Sequence, residues 1–172
     1  SPQDAWDYEA KMERVLERIE RCPVPTIAAI DGACTGGGAA IAAACDLRIA
    51  TARLKFGFPI ARTLGNCLSA ANLARLSALI GPGRVTELIF LARLIEAEEA
   101  QRVGLVTEVV ADADALAARV SEIAERLAGM APITLAATKE AMRRNRVHGP
   151  HAEDADLIER AYMSEDFREG ME

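Results

Sequence analysis

Hydrophobic residues recur at helical spacing at the start of the chain and then form a short continuous run. Over residues 4–21 the apolar side chains lie three or four positions apart with charged residues between them, which predicts an amphipathic helix. Pro23 and Pro25 end this pattern. The run Thr26–Ile30, followed by the turn dipeptide Asp31-Gly32, then predicts a buried strand.

The same two patterns predict the elements of the rest of the chain. Further strands are expected at Leu47–Ala50, Leu54–Phe56 and Leu105–Val110, and Phe58–Cys67 is expected to be an irregular surface segment. Helices are expected over residues 39–44, 68–80, 84–92, 96–103, 114–128, 133–144, 152–162 and 165–171.

The pattern changes at about residue 112, after which every predicted element is a helix. The chain therefore divides into a strand-containing α/β part, residues 1–111, and a helical region, residues 112–172. A sheet built from so few short strands is expected to be incomplete.

Three consecutive glycines, Gly36–Gly38, stand between the first predicted strand and an alanine-rich helix. A helix start exposes unpaired N–H groups with partial positive charge, and glycines let another molecule approach the backbone closely. The triplet therefore fits a site for an anion or a developing oxyanion. It equally fits a flexible loop or a close helix–strand packing point. The sequence lacks the Gly-Lys-Ser/Thr of a P-loop and the spacing of a dinucleotide fingerprint.

Composition argues against several classes of partner. The 172-residue chain is 51% hydrophobic and carries a net charge of −6, and no basic stretch stands out, so we expect neither nucleic acid nor a membrane surface as a partner. Its apolar runs are too short to span a bilayer, and its first residues have no signal-peptide pattern. The four cysteines form no CxxC pair and only two histidines are present, so we expect no metal site and reduced cysteines in the cytoplasm.

Several motifs, in order, resemble those of the crotonase (enoyl-CoA hydratase/isomerase) superfamily. Its signature is similar to P-V-P-T-I-A-A-I-D-G-A-C-T-G-G-G-A-A-I-A-A-A-C-D-L-R-I-A, and its F-G-x-P-E segment to K-F-G-F-P. Later motifs are similar to L-A-R-L-x-x-L-I-G-P-G-R-V-T-E-L and to I-E-A-E-E-A-Q-R-V-G-L-V-T-E-V-V. The resemblance implies a crotonase-like ββα spiral core, a C-terminal helical trimerisation region, and upstream strands in a longer protein.

The resemblance also implies a substrate and a site. The superfamily binds an acyl-CoA thioester, with coenzyme A as part of the substrate and no separate cofactor, and it assembles as trimers or dimers of trimers. The thioester oxygen lies between two backbone N–H groups, of which the second matches Gly37 and the first belongs to the upstream part. The implied substrate-binding residues are Ala33, Gly36, Gly37, Ala40, Pro59, Ile60, Leu64 and Gly65.

The sequence departs from the superfamily's hydratases at both catalytic glutamates. The matching positions are Ala40 and Ile60, and neither side chain can transfer a proton. Water addition by two glutamates is therefore not supported. In the 4-chlorobenzoyl-CoA dehalogenase branch a nucleophilic aspartate follows Gly-Asn, and the matching run here is Gly65-Asn66-Cys67. Cys67 is accordingly a candidate nucleophile or proton donor, or else a small liner of the acyl pocket, and Asn66 is a further polar candidate.

Three functions stay open from the sequence. The first is an acyl-CoA enzyme with non-standard catalytic side chains, and the second is a catalytically silent acyl-CoA-binding or structural protein. The third is a hydratase whose acid and base lie elsewhere. Two further groups of side chains are expected on the surface: two histidines, and a basic run whose alternative role is contact with a CoA phosphate. They are His148 and His151, and Lys139, Arg143, Arg144 and Arg146.

Overall fold

The computed structural model describes residues 1–171, and within this range six strands form two three-stranded sheets. The strands are β1 (Ile27–Ile30), β2 (Ala33–Thr35), β3 (Leu47–Thr51), β4 (Lys55–Gly57), β5 (Ile95–Glu96) and β6 (Glu108–Val110). The first sheet has the order β1-β3-β6 and all its strands are parallel. The second has the order β2-β4-β5, with β2 parallel and β5 antiparallel to β4.

The helices account for most of the remaining chain. They are α1 (Pro2–Glu20), α2 (Gly37–Ala44), α3 (Ile60–Thr63), α4 (Ala70–Ile80), α5 (Pro82–Phe90), α6 (Ala97–Arg102), α7 (Ala113–Ala128), α8 (Pro132–His148), α9 (Ala155–Tyr162) and α10 (Glu165–Glu169). A 3-10 turn, Gly149–His151, separates α8 from α9. The α/β class and the all-helical second part that the sequence predicts are confirmed.

The core surrounds α2 and the central strand of each sheet. Ala50 of β3 and Phe56 of β4 are fully buried, and Leu16 of α1 packs into the same cluster. Helix α2 contributes only small side chains to it, which lets α1, α4 and the strands approach its axis closely. The buried residues of α2 are Ala39, Ala40, Ala42, Ala43 and Ala44.

Two short strands were not predicted, and one element was predicted too long. β2 and β5 have three and two residues, which is too short for an alternating pattern to be visible. The predicted strand Leu105–Val110 begins only at Glu108. The amides of Leu105 and Val106 both donate to the carbonyl of Ala100, which lies within α6, and so do not join the sheet. The segment expected to be irregular, Phe58–Cys67, contains the single-turn helix α3.

The first helix of the C-terminal region packs on the first sheet. α7 contacts both β1 and β3, whereas α8 contacts mainly α1, α4 and α9. The boundary near residue 112 stays a prediction. The last residue of the predicted helical region, Glu172, lies outside the described residues. His148 and His151 are exposed, as predicted.

The basic run of α8 is not a solvated face, so that prediction is wrong. Lys139 donates to Asp46 (2.7 Å), Arg143 and Arg144 both pair with Glu140, and Arg146 pairs with Glu20. The helical spacing explains part of this result, because residues three and four apart lie on one face. All four cations are engaged within the chain, and their alternative role, contact with a CoA phosphate, stays a prediction.

Replacing Glu140 by glutamine is expected to weaken the acid sensitivity of the fold. A hydrogen bond from Arg143, assisted by one from Arg144, lowers the pKa of Glu140 from 4.5 to about 2. The carboxylate therefore stabilises the fold fully above pH 4.5, and this contribution is lost as the pH falls towards 2. Urea unfolding followed across this window should show a smaller loss of stability in Glu140→Gln than in the wild type. The exposed-site control Glu159→Gln should keep the wild-type pH dependence, and equal slopes for all three proteins would contradict the prediction.

Candidate functional site

The glycine turn is prepared by polar contacts at the end of β1. Asp31 accepts a hydrogen bond from the Thr51 hydroxyl (2.8 Å) and pairs with Arg53 (2.5 Å). The hydrogen bonds from Arg53 and then Thr51 lower the pKa of Asp31, so the carboxylate is ionised at neutral pH. Gly32 follows with a φ of +89°, a conformation that favours glycine. These contacts fix the direction in which the chain enters β2.

The glycine triplet forms the start of α2. Gly36 is the N-cap residue, with φ +56° and ψ −123°, and Gly37 is the first residue of the helix. The Gly36 amide donates to the Gly57 carbonyl at the end of β4 (3.3 Å). A Cβ added at Gly36, Gly37 or Gly38 would meet no atom within 4 Å, so the space beside the turn is open.

The direction of the Gly37 N–H follows from the peptide bond that precedes it. The Gly36 carbonyl accepts from the Ala40 amide (3.0 Å), so this carbonyl points into the helix. The N–H of the same trans peptide unit points the opposite way, out of the helix start. Within residues 1–171 the Gly37 amide donates to no backbone or side-chain acceptor, as expected for a first-turn amide without a side-chain cap.

Helix α2 is anchored by side chains at its other end. Arg48 is buried and donates to the carbonyls of Ala42 (3.2 Å), Cys45 (2.6 Å) and Leu105 (2.6 Å). Burial lowers the pKa of Arg48, and a cation here complements the negative end of the helix dipole. Arg48 therefore holds the C-terminal end of α2, whereas at the N-terminal end the Gly37 amide has no acceptor within residues 1–171.

The two positions that match the hydratase glutamates lie in the hydrophobic core. Ala40 is 5% exposed on α2, and Ile60 is 6% exposed at the start of α3. Ile60 is only three residues beyond Gly57, whose carbonyl is bonded to Gly36, so both positions lie close to the glycine turn along the chain. No carboxylate occupies either position, and proton transfer by these side chains is excluded.

The other predicted substrate-binding residues lie around the turn and on the loop after α3. Ala33 is exposed on β2, and Pro59 is half-buried as the N-cap residue of α3. Leu64 is 76% exposed, and Gly65 has a φ of +68°. The Gly65 amide donates to the Ile60 carbonyl (2.8 Å), which turns the loop back towards the start of α3.

Asn66 and Cys67 both lie exposed on this loop. Among residues 1–171, neither side chain has a hydrogen-bond partner, and no hydrogen bond connects them to the Gly37 turn. The neighbouring hydroxyls serve the backbone: Thr63 donates to the Pro59 carbonyl, and Ser69 caps α4. All four cysteines are free, and burial raises the pKa of Cys34 on β2 to about 11, which keeps that thiol protonated at neutral pH.

One cavity of about 630 Å³ lies between the C-terminal end of α2, α4 and α8, with Ala44, Leu79 and Met142 in its walls. No group of three or more His, Cys, Asp or Glu in the described part could hold a metal ion. None of the described helices combines the length and apolarity needed to cross a membrane.

The fold and the turn define an α/β protein of the crotonase type, in which a strand, a glycine turn and a small-residue helix present a free backbone amide. A family model described as enoyl-CoA hydratase/isomerase matches residues 1–172. The chain belongs to this family and so to the crotonase superfamily, which confirms the resemblance of the motifs.

Individual relatives agree with this family. The chain is 35% identical over 161 residues to the short-chain-enoyl-CoA hydratase of Clostridium acetobutylicum, and the match covers 92% of this chain and 61% of that protein. It is 34% identical over 175 residues to the crotonyl-CoA hydratase of Syntrophomonas wolfei, and the match covers 99% of this chain and 66% of that protein. The crystal structure of enoyl-CoA hydratase from Bacillus anthracis matches with a TM-score of 0.87 at 33% identity. This match covers 99% of this chain and 67% of that one. The chain spans less than two thirds of the length of these two curated relatives.

Two residues that hold the ends of α2 were not predicted from the sequence. Arg48 and Gly57 both lie inside quoted motifs, D-L-R-I-A and K-F-G-F-P, yet their roles depend on long-range hydrogen bonds. The available signal was a lone arginine in an apolar strand, which requires buried acceptors. For Gly57 the signal was a glycine at a strand end, which points to a close backbone approach.

Proposed function

We propose that the protein processes an acyl-CoA thioester and that the Gly37 N–H donates to the thioester oxygen as one half of an oxyanion hole. Charge that develops on this oxygen in an enolate is stabilised by a donor that is already oriented. The observation that carries the proposal is the free Gly37 amide, which points out of α2 beside open space in a member of the enoyl-CoA hydratase/isomerase family. Coenzyme A enters as part of the substrate, and the proposal includes no further cofactor.

The proposed chemistry does not use the two-glutamate addition of water. Ala40 and Ile60 carry no proton-transferring group, so the acid or base is supplied by another group. Cys67 and Asn66 are the polar candidates on the adjacent loop. Isomerase, decarboxylase and thioester-hydrolase reactions all develop an anion on the thioester oxygen and fit the Gly37 donor. Proposed contacts to the acyl group come from Ala33, Gly36, Pro59, Leu64 and Gly65, together with Ala40 and Ile60.

A catalytically silent acyl-CoA-binding protein is the second candidate. The observation that favours it is that Ala40 and Ile60 are part of the hydrophobic core. This candidate and the first share the thioester contact at Gly37. They differ in whether the bound acyl-CoA reacts.

The test combines a binding measurement with two readouts of chemistry. Crotonyl-CoA should bind in calorimetric titration without rapid loss of its enone absorbance. Butyryl-CoA should incorporate deuterium from D₂O at the carbon next to the thioester carbonyl, which NMR detects. Binding without exchange and without cleavage of the thioester would support the silent candidate, and rapid loss of the enone would support a hydratase with relocated groups. Absence of binding would overturn the proposal, and unchanged exchange in Cys67→Ala would remove the thiol from the mechanism.

We also propose that the protein assembles as a homotrimer or a dimer of trimers. Large apolar side chains are exposed on and after α9. The rings of Tyr162 and Phe167 pack together with their centroids 4.8 Å apart. These side chains are Ile158, Tyr162, Met163 and Phe167. Exposed apolar surface of this kind is typical of a contact between subunits. Light scattering should give three or six times the mass of one chain, and a monomer would contradict this part.

A further inference from the structure

We propose that Gly57 is a positioning residue for the Gly37 amide and that it acts through its carbonyl, which holds Gly36. This inference rests on the proposed function, because it concerns the same thioester site. Gly57 touches no part of the proposed substrate. Its effect is on the direction of the donor.

Gly57 is fitted tightly between two elements. On one side its carbonyl accepts from the Gly36 amide (3.3 Å). On the other side it packs against the turn that precedes β5, where a Cβ at position 57 would lie 3.0 Å from the Arg93 carbonyl oxygen and 3.0 Å from Leu94 Cδ2. The Leu94 side chain can rotate away, but the Arg93 carbonyl is backbone, so a side chain at this position requires β4 and that turn to separate by a few tenths of an ångström.

The turn behind Gly57 is held firmly. The guanidinium of Arg93 donates to Glu87 of α5 (2.7 Å) and, through two nitrogens, to Glu99 of α6 (2.8 Å each). The preceding residue, Ala92, is buried with a φ of +48°, a conformation that a non-glycine residue adopts only when its surroundings impose it. The strain of a side chain at Gly57 is consequently expected to displace β4 rather than this turn.

A displacement of β4 is transmitted to the Gly37 amide through one hydrogen bond, the one between Gly36 and Gly57. Gly36 is held by two hydrogen bonds, from its amide to Gly57 and to its carbonyl from Ala40. The second of these is local to the helix, so the first is the bond that sets how the turn meets the sheet. Rotation about the N–Cα bond of Gly36 moves the peptide unit that carries the Gly37 N–H. The Ala40 bond fixes the direction of that N–H within the helix, and the bond to Gly57 fixes the turn, and with it the N–H, relative to the sheet.

The test measures the carbonyl band of a bound thioester. Butyryl-CoA labelled with ¹³C at the carbonyl is added to the full chain, and difference infrared spectra record the shift of the labelled band on binding. We expect a shift to lower frequency in the wild type, since hydrogen bonding weakens the carbonyl bond. Gly57→Ala should give a smaller shift than the wild type. Gly83→Ala is the matched control, because a Cβ there meets no atom within 4 Å, and it should keep the full shift.

Gly36→Ala is the second variant, and it decides the matter if Gly57→Ala does not fold. Its Cβ has open space, and only its φ of +56° is unfavourable for alanine. It should give a smaller shift as well. A wild type that binds butyryl-CoA without any shift would refute the proposed function itself. A wild-type shift that is kept in full by folded Gly57→Ala, or by Gly36→Ala where Gly57→Ala is unfolded, would refute only the positioning role.

Discussion

Replacing Arg75 by methionine is expected to lower the free energy of unfolding by about 3 kcal/mol, which for a chain of this size lowers the melting temperature by roughly 10 °C. Arg75 is 3% exposed on α4 and donates to Glu13, Glu20 and Asn72. Burial alone would lower the pKa of Arg75, but hydrogen bonds from its guanidinium to Glu13 and Glu20 outweigh that effect and raise it. Removing the cation leaves two carboxylates of α1 without their main partner.

The size of this effect follows from the burial of the cluster. Glu20 is 12% exposed and its second partner is Arg146 of α8, so the cluster joins α1, α4 and α8. The side chain of Glu13 is 33% exposed and can recover part of its hydration, which keeps the expected loss at the lower end for a broken buried pair. The Arg75 hydrogen bond lowers the pKa of Glu13, and this pKa should rise in the variant.

Thermal and urea unfolding at one fixed protein concentration measure the loss, because assembly would otherwise shift the transition. The control is Arg21→Met, which removes an exposed pair with Glu17 and should change stability by less than about 0.5 kcal/mol. The double variant Arg75→Met/Glu13→Gln should recover part of the loss, since one stranded carboxylate is gone. Equal destabilisation by Arg75→Met and Arg21→Met would show that the cluster is not the main link between these helices.

Replacing Gly37 by proline is expected to lower the rate of acyl-CoA enolisation by about 100-fold, which is typical of losing one oxyanion-hole donor. Proline has no N–H, so the substitution removes the donor itself. Proline is well tolerated at the first position of a helix, and Gly36 has no Cβ to clash with the ring. The fold should therefore survive, and stability should change little.

Deuterium incorporation into butyryl-CoA measures this loss, and circular dichroism verifies the fold. Gly38→Ala is the matched control, because it changes the next residue of α2 and keeps every amide of the turn. It should retain nearly all of the exchange rate. Full activity in a folded Gly37→Pro protein would show that the thioester oxygen is bound elsewhere.

The sequence predicted most long elements because their patterns are local. The positions of helix α1 and of strands β1 and β3 can be predicted from the pattern of residues within each element itself. β2 and β5 were missed because two or three residues carry no periodic signal, and they exist only through pairing with β4. The basic run of α8 was misinterpreted in part because Asp46 and Glu20, the partners of Lys139 and Arg146, are distant in sequence.

For the candidate site, the sequence alone determined the chemical inventory: a glycine triplet at a helix start, and no carboxylate at positions 40 and 60. Its motifs were sufficient to identify the family. Only the tertiary structure decided which way the Gly37 N–H points, because that direction depends on hydrogen bonds to Gly57 and Ala40. Residue identity limits which backbone conformations are possible, but contacts between distant segments select the one that is adopted.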